Sequence, residues 1–221
     1  MLSLKKWYGL GALLFLILAA GAWYFFGRMS NEPVVLTIDP NATSTNIGGY
    51  TITRVDTPPG GVLPSLDRPI TVSDGMSLEA KAVLKDLIEE VTAELKEQPD
   101  RVDLWLQLGL NRKIAGDDEG AIEVWNYVAT GVPSSLSYIA HGNLGDIYMN
   151  VLKDYPKAEQ NYLGALAIQP KAVAYYSELY TLYTYFYKTN TSAAKDILEL
   201  GLKNNPGNPN LRTLLDAHIK N

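Results

Sequence analysis

Pro99, Pro133, Pro170 and Pro206 fall 34, 37 and 36 residues apart. That near-constant period constrains the fold more than any other feature of the chain. A period of this length marks an array of supersecondary units, each needing its neighbours to cover its apolar face. The clearest unit is 103–136, DLWLQLGLNRKIAGDDEGAIEVWNYVATGVPSSL. Trp105 and Leu108 share one helix face, and Gly109 lets a second helix approach closely. Ala121 is the small residue where the two helices cross, and Trp125 is the large one that fills the space beside it. Gly116-Asp117-Asp118 is the turn that reverses the chain.

Trp105, Leu108 and Gly109, followed by Ala121, Trp125 and Pro133, resemble the W-x2-L-G…A-x3-F…P pattern of a tetratricopeptide (TPR) repeat. One position departs from it: Arg112 stands where an aromatic is expected. A second unit, about 138–171, carries Leu144, Gly145 and Tyr148, then Ala158, Tyr162, Ala165 and Pro170. His141 takes the usual place of Trp. Its turn at Lys153-Asp154-Tyr155 has one extra residue, and Pro156 suits a first helical position. A third, about 172–207, carries Leu179, Tyr180 and Tyr183, then Ala194, Leu198 and Pro206, with two extra residues between its halves.

Helices flank the array. Ser77 can cap a helix running to about Gln98, with Leu84, Leu87, Ile88, Val91 and Leu95 at helical spacing. Asp100 is then expected to cap the first helix of the clear unit. Asn208-Pro209 opens a last helix with Leu211, Leu214, Leu215 and Ile219 on one side, as a terminal cap requires. The fold expected is all-α: a TPR-like helical-hairpin solenoid of about three repeats plus capping helices over 77–221.

Ahead of it lie two different segments. Residues 7–27, WYGLGALLFLILAAGAWYFFG, hold no charge for 21 positions. As a helix they would reach roughly 30 Å, the thickness of a hydrocarbon core. Trp7, Tyr8, Trp23 and Tyr24 suit its two interfaces. Residues 1–28 therefore read as an N-terminal transmembrane anchor. A cleaved signal peptide competes, because Ala20-Gly21-Ala22 resembles a cleavage site, but apolar residues continue through Phe26. Lys5 and Lys6 favour the N-terminus inside and the helical domain outside the cell membrane. Residues 29–76 read as an extracytoplasmic linker. Val34–Ile38 and Tyr50–Val55 are β-prone, and Thr57–Gly61 and Leu63–Pro69 read as extended tether. A small hairpin, or a strand that pairs with a partner, is the alternative. Asn41-Ala42-Thr43 and Asn190-Thr191-Ser192 fit the glycosylation sequon by chance.

Composition narrows the function classes. Net charge is −5, which argues against nucleic acid. Lys5, Lys6 and Arg28 sit before residue 29 with no acid, which leaves 16 basic and 24 acidic groups after it, or −8. No cysteine is present, so disulfides and thiolate chemistry are excluded. No catalytic motif is present, no cofactor is expected, and the chain reads as a non-enzyme. Asp117-Asp118-Glu119 lacks the spaced ligands of a calcium loop. His141 stands at a core position of its unit. Tyr176, Tyr180, Tyr183 and Tyr187 share one helix face, and Tyr175, Leu179, Leu182 and Phe186 a neighbouring one. Either both faces are covered or one binds.

The chain is similar to single-pass, membrane-anchored TPR proteins of bacteria over about 78–220. The resemblance implies a groove lined by the first helices, taking a peptide or a partner helix. By repeat position it would hold Leu106, Leu110, Lys113, Asp146, Met149, Ser177, Thr181 and Tyr185. Only Lys113 matches the Lys/Asn set with which chaperone-binding members clamp a carboxylate, so an apolar or mixed peptide suits it better. The expected function is a membrane-anchored protein–protein interaction scaffold in an envelope assembly. The alternatives are a secreted, cleaved binding protein and a non-catalytic subunit of an envelope enzyme.

Overall fold

The computed structural model describes residues 44–47, 50–53 and 62–220. The anchor expected at 7–27, the Val34–Ile38 segment and the tether at 57–61 lie outside the described residues. Among the described residues no helix is long and apolar enough to cross a membrane. Strands β1 (Ser44–Ile47) and β2 (Tyr50–Thr53) pair antiparallel with Ile47 opposite Tyr50.

From residue 78 onward the described chain is all-helical: α1 (Leu78–Glu97), α2 (Val102–Ala115), α3 (Asp118–Asn126), α4 (Ser137–Asn150), α5 (Tyr155–Ile168), α6 (Val173–Tyr185), α7 (Ala193–Asn204) and α8 (Pro209–Lys220). A wider π-turn, Tyr127–Gly131, extends α3. Each helix packs chiefly on those before and after it in sequence. The caps follow from local chemistry. Ser77 accepts from the Ala80 N–H, Asp117 from Gly120, Asp154 from Lys157 and Asn208 from Leu211. Asp100 does not cap α2. That place is Arg101, with no side-chain cap, and its guanidinium forks onto Asp103 instead.

The α2–α3 pair shows why Gly and Trp recur. A Cβ on Gly109 would lie 2.3 Å from Trp125 Nε1, so the bare backbone is what lets the indole in. Trp125 is fully buried, and its Nε1–H donates to the Leu106 carbonyl at 3.3 Å. The core forms two clusters that divide along α4. Ala140, Leu144 and Ile147 join the first, while Met149 joins the second. Most of both faces of α6 is covered: Tyr176, Leu179, Leu182 and Tyr183 are fully buried, Tyr180 meets His218 of α8 in a T-shaped pair at 5.7 Å, and Phe186 is left 46% exposed. Ile219 is 63% exposed, so α8 buries less of its apolar side than its pattern suggests.

The largest departure from the sequence reading is at 62–76. This stretch is a strap laid along the first hairpin. Leu66, Ile70, Val72 and Met76 pack on the first core cluster, and the Ser73 N–H donates to the Ala115 carbonyl at 2.7 Å. Arg68 forks onto Asp117, with Nε 3.3 Å from Oδ2 and Nη2 3.1 Å from Oδ1, and reaches Glu123 at 3.2 Å. Arg112, in the place expected for an aromatic, is buried below. Its Nη1 is 2.6 Å from Asp117 Oδ2, and its Nη2 donates to the Arg68 carbonyl at 3.4 Å. A guanidinium stem fills the volume of a ring, and the acid that caps α3 neutralises the charge.

Candidate partner groove

The first helices of the hairpins, α2, α4 and α6, carry the expected groove residues. Leu110 and Tyr185 are exposed, at 47% and 67%. Lys113, Asp146, Ser177 and Thr181 are half-buried. Thr181 turns its hydroxyl back to the Ser177 carbonyl at 3.0 Å. Leu106 and Met149 do not face an open groove: they are 9% and 4% exposed. Leu106 belongs to the first core cluster, its carbonyl accepting from Trp125 Nε1, and Met149 belongs to the second. Position around one helix placed them outward, but the helices packed against them bury them.

Asp146 and Met149 come together on one tyrosine. The Tyr162 hydroxyl, from α5, donates to Asp146 Oδ1 at 2.6 Å and touches Met149 Sδ at 3.7 Å. Lys113 acts on Asp146 from α2 through its charge. Tyr185 lies apart, edge-on to Phe186.

Four residues that the pattern did not single out for the groove complete this site. Tyr175 reaches from α6 onto α4, where Gly142 leaves room. A Cβ on Gly142 would lie 2.3 Å from the ring. The ring stacks on Tyr162 at 6.2 Å and meets the edge of Tyr138 at 6.3 Å. Glu178, one turn further along α6, is half-buried. The legible signal was Gly142: a glycine inside a helix costs about 1 kcal/mol against alanine and marks a close approach.

The site is acidic and partly dry. Burial pushes the Asp146 carboxyl up, against the opposing pulls of the Tyr162 hydroxyl and Lys113. Burial, then the neighbouring Asp146, pushes Glu178 up as well. Burial also raises the Tyr162 and Tyr175 phenols, so both stay neutral donors. Two half-buried carboxylates that repel each other favour a positive charge beside them. An ammonium or guanidinium group would supply it, with the Tyr162 and Tyr175 rings for its alkyl stem.

His141 lies close by on α4. Its Nδ1 is 3.2 Å from Asn161 Oδ1, and its ring packs on Gly164. Burial holds its pKa below the ordinary imidazole range, with Asn161 opposing. A depressed histidine contributes stability that is present above the unfolded-state pKa and lost as pH falls toward the folded one. Asp146 and Glu178, raised, act in the opposite sense. The native chain is therefore expected to lose stability relative to His141→Gln between neutral pH and about pH 5. Melting temperatures of the two chains across that range check it, and parallel curves would refute it.

A cavity of about 260 Å³ lies away from the groove, between the strap and α1, with Arg112 on its wall. Its charges are already matched: Lys96 pairs with Asp67 at 2.8 Å and Arg68 with Asp117. Among the described residues no group of three or more acids or histidines is placed to hold a metal ion. No protein-family model, no curated protein and no solved structure matches this chain.

Proposed function

We propose that this protein is a membrane-anchored interaction scaffold of the TPR kind, whose first helices form a groove for an extended peptide or partner helix. The observation that carries the reading is the half-buried pair Asp146 and Glu178, with the Tyr162 hydroxyl on Asp146. Half-buried carboxylates with raised pKa cost stability, and a site that retains such groups is characteristic of binding rather than folding. The partner supplies a Lys or Arg side chain to that acidic pair and apolar residues to the exposed Leu110 side of the groove. The chain sits in the cell membrane through residues 7–27, with the helical domain outside, as part of an envelope assembly.

The test uses a displayed library of random peptides against the full chain in detergent. Sequences rich in Lys or Arg beside apolar residues are expected to be enriched. Asp146→Asn keeps an acceptor for the Tyr162 hydroxyl and removes the buried charge. It should leave the melting temperature unchanged or raised. Binding should fall at least tenfold, because a hydrogen bond to a charged group is worth about 1.5–3 kcal/mol. No enrichment, or enrichment of acidic peptides, would sink the reading. Location has its own test. Roughly 20 apolar residues are not released by screening charge, so the chain should stay with membranes through salt and carbonate washes. Ala20-Gly21-Ala22 supports the alternative of a secreted binding protein, and a soluble chain beginning near Trp23 would establish it.

A further inference from the structure

The turns of the second and third hairpins bear an apolar tip that no helix covers. Val151 and Leu152, after α4, are 45% and 50% exposed, and Tyr185 and Phe186, at the end of α6, are 67% and 46% exposed. The two turns meet at Tyr155, at the start of α5 three residues after Leu152: its ring stacks on Phe186 at 5.4 Å, and Phe186 meets Tyr185 at 6.3 Å. Lysines ring this tip. Lys153 stands exposed at the tip of the first turn, in the left-handed region at φ 56°. Lys188 stands in the second turn, also left-handed at φ 59°, and Lys157 opens α5. The acids nearby are engaged: Asp154 pairs with Lys157 at 2.9 Å and Glu159 with Lys188 at 2.5 Å. The 186–192 turn, Phe-Tyr-Lys-Thr-Asn-Thr-Ser, contains no acid.

We propose that this edge docks on the surface of an anionic lipid bilayer, seating the helical domain against the membrane. Aromatic and branched apolar residues at turn tips, with lysines around them, match the interfacial layer. There rings sit at the headgroup level, and ammonium groups snorkel to phosphate. The local charge is complementary: Lys153 is in excess over the two matched pairs, within a helical region that is acidic as a whole. The chain also supplies the proximity. If residues 7–27 span the bilayer, at most 34 residues, 28–61, separate that span from the strap. Docking is then an encounter at high effective concentration, so a small patch suffices. Only this last point rests on the anchor reading.

The chain lacks cysteine, so single labels can be placed at will. Leu152→Cys and Phe186→Cys, each in the full chain, would carry a polarity-sensitive fluorophore, with Ala217→Cys on the exposed side of α8 as control. Circular dichroism confirms that each variant folds. The probes are vesicles of phosphatidylcholine alone and vesicles with phosphatidylglycerol added. In the mixed vesicles the labels at 152 and 186 should shift to the blue and be quenched by brominated lipid, while the label at 217 stays in water. Phosphatidylcholine alone, or high salt, should abolish most of the shift. Lys153→Gln should lower the docking equilibrium about fivefold, as one lysine near an anionic surface does. Labels at 152 and 186 that behave as the one at 217 overturn the proposal. So does a shift that is equal in both vesicles, or one that follows protein concentration, which would mark contact between two copies. Carbonate extraction of the same samples separates the two readings. A chain that stays in the vesicles without a label shift defeats docking and leaves the anchor. A chain that is released by carbonate, yet shifts when added to mixed vesicles, defeats the anchor and leaves docking.

Discussion

Trp125→Ala is expected to destabilise the helical domain by roughly 3–5 kcal/mol, the range for deleting a large aromatic from a core. The indole is fully buried, seated over the bare Gly109 backbone, and its Nε1–H loses the Leu106 carbonyl when removed. A domain whose total stability is about 5–15 kcal/mol has little left after such a loss. Denaturation of residues 62–221 followed by circular dichroism measures it. Gly109→Ala supplies the internal control. Alone, its methyl meets Trp125 Nε1 at 2.3 Å and should cost about 1–3 kcal/mol. In the Trp125→Ala background the clash is gone, and the better helix propensity of alanine should make the same change neutral or stabilising by up to about 1 kcal/mol. Additive costs would show that the ring and the glycine do not meet.

Asp117→Ala should cost as much for a different reason. Its carboxylate is 6% exposed and the Arg112 side chain 2% exposed. Removing the acid strands a buried guanidinium, which typically costs about 3–5 kcal/mol. It also uncaps α3 at Gly120 and leaves Arg68 only its more exposed partners Glu123 and Glu119, so the strap should loosen. Cleavage by trypsin at Arg68 should rise in step. Asp117→Asn keeps the cap but not the charge and should fall between the two. Burial alone would raise the Asp117 carboxyl, but Arg68, the Gly120 N–H and Arg112 outweigh it and hold it below the usual carboxylate range. A depressed acid stabilises above its unfolded-state pKa, so this contribution is complete at neutral pH and lost only in strong acid. A fully stable Asp117→Ala chain would show that Arg112 finds another partner.

The helices were legible because their crossings are local. Gly109 with Trp125, and the prolines that end each hairpin, sit at fixed distances in sequence, so the pattern reports the contact. The strap was not legible, since Leu66, Ile70, Val72 and Met76 share a period of two only with Arg68 and Asp74 interrupting it, and Pro69 and Gly75 lie between them. Its strongest tie joins Arg68 to Asp117 across 49 positions, and its Pro- and Gly-rich approach reads as tether. Of the residues expected in the groove, Leu110 and Tyr185 are exposed. Leu106 and Met149 are not, because burial there depends on α3, α5 and α6. Tyr175 was placed on one of two neighbouring faces of α6, either covered or binding. Its role on α4 depends on a glycine in the preceding hairpin, which no pattern within one repeat contains.

Gly142 and Tyr175 also decide whether the hairpins are interchangeable parts. Three residues before the shared glycine of each first helix, Gly109 and Gly145, the first hairpin has Leu106 where the second has Gly142. A chain shortened by one period, joining the first hairpin directly to the third, would bring the Tyr175 ring onto a leucine side chain instead of into a socket. The units therefore share a length but not a connector, and their order is written into the mating surfaces. Adding or removing a module requires re-cutting the joint as well as the sequence between two prolines.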